Sequence, residues 1–183
     1  MLPDLYLMRH GETEWNRQGR MQGRLDSALT DRGVEQARRQ AQLIAEIDGT
    51  RYASPQGRAM QTAEIVFAGQ PFTDDDRLCE IDVGTFAGRM FDDLRLRHPD
   101  LFTGAPHDWY DRTPEGENFA RLEARCQDFL SALRAPSLII THGITLRMLR
   151  ILALGQPVAR IGDLTVEQGA VHVIRNGAYE IWR

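Results

Sequence analysis

Twice in this chain a short apolar run of strand-like character ends on a histidine followed by glycine. Leu5-Tyr6-Leu7-Met8 leads into Arg9-His10-Gly11-Glu12-Thr13, and Leu138-Ile139-Ile140-Thr141 leads into His142-Gly143. Strand-like runs separated by helical patterns argue for a layered α/β fold with a mainly parallel sheet. In such sheets ligands bind in the crevice beyond the carboxyl ends of the strands. A guanidinium and two imidazoles at those ends are poor core material and good phosphate chemistry.

The rest of the chain divides along the same lines. A helix is expected over 31–47, N-capped by Thr30, with Val34, Ala37, Ala41, Ile44 and Ala45 on its buried face. A short strand follows at 51–53. Ser54 reads as an N-cap with Pro55 opening a helix to Phe67 that buries Ala59, Ala63, Val66 and Phe67. A third short strand is expected at 71–73 and a loop over 78–88, broken by Gly84 and Gly88. The stretch 90–114 is the least regular and is read as a lid. An amphipathic helix over 117–133 turns Phe119, Leu122, Cys126, Phe129 and Leu130 inward, and a nearly all-apolar helix at 144–154 follows the strand at 138–141. Asn176-Gly177 marks a hairpin between 171–175 and 178–182. No repeat or linker interrupts the 183 residues, so one domain is expected.

Composition narrows the function classes. A net charge of −4 argues against a general nucleic-acid binder. No apolar run nears the ~20 residues of a membrane helix, and no secretory pattern opens the chain, which reads as cytoplasmic. All 22 basic residues are Arg, so a phosphate site here must use guanidinium forks and imidazoles. Cys79 and Cys126 are isolated and expected in the core. The five histidines and two cysteines lack paired ligand spacing, so neither a metal nor another cofactor is expected.

The chemistry converges on three strand ends: Arg9-His10, Ser54-Pro55-Gln56-Gly57-Arg58 and His142-Gly143. Arg58 falls in the first turns of its helix, where the macrodipole disfavours a cation unless an anion is also present. His10 is the candidate nucleophile, because a neutral imidazole can attack phosphorus without losing a proton first. Arg9, Arg58 and His142 would share the charge on the phosphoryl oxygens. Glu80 is the candidate proton donor to the leaving alcohol, since a carboxyl beside a phosphate dianion holds its proton more readily. Asp82 and Glu12 are weaker candidates for that role. His98, His107 and His172 are read as structural, and Trp109 and Tyr110 as packing.

At these residues the chain resembles the histidine phosphatase superfamily, the phosphoglycerate mutase-like enzymes. The motifs run nearly end to end. They are Arg9-His10-Gly11-Glu12-Thr13 with Trp15-Asn16, Leu29-Thr30-Asp31-Arg32-Gly33 with Gln36-Ala37, and Ser54-Pro55 with Arg58-Ala59 and Gln61-Thr62. Glu80 with Gly84 and Gly88, and His142-Gly143, complete them. The resemblance implies a phosphohistidine at His10, Glu80 as acid, and Arg9, Arg58 and His142 on the phosphate. It adds Asn16 as a further phosphate contact, Gln22 and Gly23 at the substrate border, and Gly143 beside the second histidine. It implies no metal, and a three-layer α/β/α sandwich whose mostly parallel sheet has an antiparallel edge strand.

Two departures stand out. Asn118 follows Gly116-Glu117 where the family usually has Ser, although Arg125 keeps its distance. The stretch Ile81-Asp82-Val83-Gly84-Thr85-Phe86-Ala87-Gly88 lacks the Arg-His-Tyr-Gly-like segment of the mutases and resembles the phosphatase branch. The expected function is hydrolysis of a small phosphorylated metabolite. A cofactor-dependent phosphoglycerate mutase, a phosphoprotein phosphatase and a non-catalytic phospholigand sensor are the alternatives. The physiological ester and the oligomeric state are not legible.

Overall fold

The computed structural model describes residues 2–183. Among them, one sheet contains β1 (Leu5–Arg9), β2 (Thr50–Ala53), β3 (Thr73–Asp74), β4 (Ser137–Thr141), β5 (Val171–Arg175) and β6 (Ala178–Trp182). The spatial order is β3-β2-β4-β1-β5-β6. The first four pair in parallel, and the hairpin β5–β6 extends β1 through antiparallel pairing. This is the expected α/β sandwich, with its antiparallel strands gathered at one edge.

Alternation along the central strands sets the layers. Leu5 and Leu7 of β1 and Ile139 of β4 face a core shared with α5 (Phe119–Ala132) and α6 (Gly143–Ala153). Tyr6, Met8, Leu138 and Ile140 face the opposite core, shared with α2 (Asp31–Leu43) and α3 (Gly57–Val66). Two short helices, α1 (Glu14–Gln18) and α4 (Phe91–Arg97), lie in the connections. Cys79 and Cys126 are buried free thiols, and burial pushes Cys126 up to about 12. Among the described residues no helix is long and apolar enough to cross a membrane.

Several expectations shift in detail. Helix α2 stops at Leu43, and its buried residues are Gly33, Ala37 and Gln40, with Ile44 buried just beyond its end. Val34 and Ala41 are only half-buried and Ala45 is exposed. Gln40 takes an inward position because its amide donates to the carbonyls of Arg9 and Ala170, at 3.0 and 3.1 Å. Helix α3 begins at Gly57 rather than Pro55, and its N-cap Gln56 makes no side-chain cap bond. Strand β3 lies at Thr73–Asp74. The 90–114 stretch holds α4 and short 3-10 turns at Pro99–Phe102 and Asp108–Arg112. Asn118 is the N-cap of α5, accepting from Arg121 N–H at 2.9 Å. Asn and Ser are near-equal N-caps, which accounts for the departure at that position.

The 9–13 loop is clamped onto the start of α2. Thr30 Oγ1 donates to the Glu12 carboxylate at 2.9 Å, and Glu12 N–H donates to Gln36 Oε1 at 2.7 Å. The approach leaves no room for a side chain. A Cβ on Gly33 would stand 2.1 Å from the Glu12 carbonyl oxygen, and one on Gly11 2.3 Å from that of Gly33. Gly33→Ala is therefore expected to cost ~1–3 kcal/mol through overpacking, read from urea unfolding. An unchanged midpoint would show that this loop is not held by α2.

Candidate active site

The register of β1 on β4 builds the site. Arg9 lies opposite Thr141, so His10 and His142 stand side by side one residue beyond each strand. His10 N–H donates to the Thr141 carbonyl at 2.9 Å, and the two rings are 5.1 Å apart by centroid. Both histidines are buried.

Hydrogen bonds define the state of His10. Its Nδ1 lies 2.7 Å from the Gly11 carbonyl oxygen, which can only accept, so the ring proton belongs on Nδ1. Arg58 Nε donates to Nε2 at 3.2 Å, which requires a lone pair there. Burial, then the Arg58 and Arg9 charges, hold His10 well below the ordinary imidazole range. The result is a neutral ring with Nε2 unprotonated.

Arg58 is only 1% exposed. Its Nη1 donates to the Leu25 carbonyl at 2.8 Å and to Asp26 Oδ1 at 3.1 Å, and its Nη2 to the Gly23 carbonyl at 3.1 Å. Asp26 also accepts from the Arg58 backbone N–H at 3.1 Å, so this carboxylate caps the start of α3. The sequence reading had a bound anion supply that charge; a resident side chain supplies it.

His142 Nε2 is 2.8 Å from Ser54 Oγ, while its Nδ1 has no partner among the described residues. Burial first, then Arg58, His10 and Arg9, hold it well below the ordinary range. Ser54 thus serves His142 rather than heading a helix. Arg9 Nε is likewise buried without a partner, and a Cβ on Gly143 would sit 3.6 Å from the Arg9 guanidinium.

Glu80 approaches from the loop after a 3-10 turn at Asp76–Leu78. Its Oε1 accepts from Thr145 N–H at 3.1 Å and from Ile81 N–H at 3.0 Å, beside the Thr145 hydroxyl, which donates to the Cys79 carbonyl at 2.7 Å. Ile144 N–H is 3.2 Å from both carboxylate oxygens. Glu80 therefore caps α6, and Oε2 is its less engaged oxygen. Gln56 ties this loop to the other wall, accepting from Glu80 N–H at 2.6 Å and donating to the Gly23 carbonyl at 2.9 Å.

A cavity of about 130 Å³ gathers Arg9, His10, Asn16, Gln22, Gly23, Arg58 and Glu80. His142 and Gly143 stand behind this lining, His142 at ring contact with His10. Asn16 Oδ1 accepts from Thr13 N–H and from Gln168, which also donates to the His10 carbonyl at 3.1 Å. The Asn16 amide nitrogen is left free to donate. Asp82 lies outside the cavity, accepting from Gly84 N–H at 2.8 Å, and Glu12 is committed to Thr30.

Sequence reasoning missed Ser54 as a histidine partner and missed Asp26, Gln56 and Gln168 as positioning groups. It also missed Tyr110, Arg20, Met21 and Val83 in the lining. His107 lies in the wall of an adjoining groove, whereas His172 is buried with its Nδ1 2.8 Å from the Tyr179 hydroxyl.

The family model described as histidine phosphatase superfamily (branch 1) matches residues 5–181. The chain belongs to the histidine phosphatase superfamily. A relative in Enterobacter sp. (strain 638), named probable phosphoglycerate mutase GpmB, is 36% identical over 170 residues, covering 84% of this chain and 75% of that protein. Bacillus stearothermophilus YhfR superposes with a TM-score of 0.84 at 32% identity, covering 98% of this chain and 95% of that one. The alpha-ribazole phosphatase from Shigella flexneri does so with a TM-score of 0.84 at 27% identity, covering 98% and 94%. Members so named include both mutases and phosphatases.

A pH prediction follows from the two imidazoles. Their folded pKa values lie well below 6.5, so the unfolded chain takes up protons near that pH that the folded chain does not. Stability should fall as pH drops below ~6.5 and continue falling until the folded pKa values are reached. By NMR, His10 should still be neutral at pH 6, and Arg58→Gln should raise its midpoint toward 6.5. A wild-type midpoint at or above 6.5 would contradict the assigned neutral ring.

Proposed function

We propose that this chain hydrolyses phosphomonoesters of a small metabolite through a phosphohistidine at His10. The observation that carries the reading is the hydrogen-bonding of that ring. With its proton on Nδ1 held by Gly11 and its Nε2 lone pair on the cavity side, His10 is a nucleophile that needs no base.

The substrate phosphoryl group enters the cavity with its phosphorus near Nε2. The Arg58 Nε–H that now bonds His10 turns to a phosphoryl oxygen as the P–N bond forms. Arg9, the Asn16 amide and His142 share the remaining charge. With Ser54 donating to its Nε2, His142 presents Nδ1–H, and that donor together with Arg9 Nε gains the partner each lacks. An unpartnered buried donor costs ~1–3 kcal/mol, which is available to bind the anion. As the P–O bond breaks, Glu80 Oε2 gives its proton to the leaving alcohol. Water then attacks phosphorus, with Glu80 taking a proton back, and the P–N bond to His10 breaks to release phosphate. No metal enters this scheme; Gln22 and Gly23 shape the walls, and Gly143 backs them beside Arg9.

The 81–88 stretch supports hydrolysis over phosphoryl return to a second alcohol, because it lacks the mutase segment. Residues 90–114 are proposed as the substrate-selecting lid, since their aromatic side chains reach the cavity through Tyr110.

His10→Ala is expected to reduce phosphate release from an aryl phosphate by at least ~10³-fold, and rapid quenching should trap an alkali-stable, acid-labile phosphoryl group on wild type only. Surviving turnover would remove the nucleophile assignment. Glu80→Gln should depress kcat most for esters with poor leaving groups. Uniform loss across leaving groups would sink its role as acid. With 3-phosphoglycerate, phosphate should accumulate faster than 2-phosphoglycerate; the reverse would favour a mutase.

A further inference from the structure

The phosphoryl cavity opens into a groove of about 300 Å³, and the two share Asn16, Arg20, Met21 and Tyr110. The groove sits at the lower end of the ~300–1,000 Å³ range of small-molecule sites. Its remaining side chains are chiefly aromatic: Trp15, Phe91, Trp109 and the imidazole of His107. No carboxylate lines it, and Arg20 is its only guanidinium among the described residues.

These rings are held in place. Trp109 and Tyr110 stack with centroids 3.8 Å apart, and Phe91 supports Trp109 at 5.6 Å. In the same lining the Arg20 guanidinium lies over Trp15 at 5.4 Å while its Nη1 donates to the Gly88 carbonyl at 2.7 Å. His107 adopts a left-handed backbone conformation, φ 78°, which is uncommon for a residue that carries a side chain. Its Nδ1 is buried without a partner among the described residues. The imidazole of His107 lines the groove with that nitrogen enclosed by the protein, so what it offers there is ring surface.

The position of the groove says what it holds. It leads directly off the cavity where phosphorus would sit, so it receives the alcohol half of the ester. A compact polyanionic alcohol would meet one cation, already hydrogen-bonded, and would leave most of the aromatic surface wet. A flat ring system would cover that surface by stacking. We infer that the alcohol released here carries an uncharged aromatic or heteroaromatic ring, one short spacer from the ester oxygen, seated between Trp15 and the Trp109–Tyr110 wall. Trp15 and Trp109 are then specificity-determining residues. The inference rests on the phosphoester reading of the neighbouring cavity.

The test compares 2-(2-naphthyl)ethyl phosphate with ethyl phosphate and 3-phosphoglycerate. The first two are esters of simple primary alcohols, so leaving-group chemistry differs little. The naphthyl ester is expected to exceed ethyl phosphate in kcat/KM by roughly 10- to 100-fold, the range of one ring stacking on aromatic side chains. Trp15→Ala, a half-buried position, should shrink that ratio about tenfold. Equal kcat/KM for the two esters, or 3-phosphoglycerate outperforming both, overturns the inference. So does an unchanged ratio in a folded Trp15→Ala variant. Should that variant not fold, the wild-type ratio decides, together with competitive inhibition by 2-naphthylethanol. If no ester releases phosphate and no phosphohistidine forms, the hydrolase reading fails instead. Quenching of indole fluorescence by 2-naphthylethanol then still shows whether the groove takes a ring, and absence of quenching overturns it.

Discussion

The contact on which the site depends is the one between Arg58 Nε and His10 Nε2, at 3.2 Å. A guanidinium has only donors, so it can approach that nitrogen only while the imidazole is neutral. Burying a guanidinium to 1% exposure is costly unless its donors are met. Here four of its five N–H bonds are met, by His10, Leu25, Asp26 and Gly23, and one on Nη2 is left. Burial first, and then the Arg58 charge that these interactions hold against it, keep the His10 ring unprotonated.

Two helices point their positive ends at the site, and each already carries a carboxylate. Asp26 caps α3 and Glu80 caps α6. The helix dipoles therefore position protein side chains rather than acting on phosphate directly. For Asp26 this fixes the Arg58 guanidinium from both backbone and side chain. For Glu80 it engages Oε1 fully and leaves Oε2 the freer oxygen. A residue anchored this way swings little, which suits the proton-donor role proposed for it.

How much of this was legible in the sequence depends on the range of the interaction. The paired strand–histidine–glycine segments were readable because alternation and chain direction are local, and parallel pairing of β1 with β4 then forces the two rings together. The hairpin β5–β6 was readable for the same reason, its turn chemistry lying within two residues. Asp26, Ser54, Gln56 and Gln168 were not, because their partners lie 32, 88, 33 and 158 residues away and no local pattern announces them. The inward face of α2 was misjudged at Gln40, where a polar side chain is buried to satisfy two strand-end carbonyls. Trp109 and Tyr110 were taken together as packing. The 3-10 turn puts both against the core and along the groove, and of the two only Tyr110 also reaches the cavity.

The walls also bear on the fate of a phosphohistidine. Transfer to a second alcohol requires the phosphoenzyme to be shielded from water until that alcohol arrives. In this fold the cavity opens onto a groove far larger than a water molecule, and the aromatic side chains of 90–114 that line it are anchored in the core beneath. Phe91, Phe102 and Trp109 pack on one another at centroid distances of 5.3 to 5.6 Å and join the α5–α6 core. Moving them inward would expose that cluster, at a cost of ~1.5–3 kcal/mol for each large side chain brought into water. On the proposed reading, once an alcohol has left the groove, water is the nucleophile with the easiest path to phosphorus.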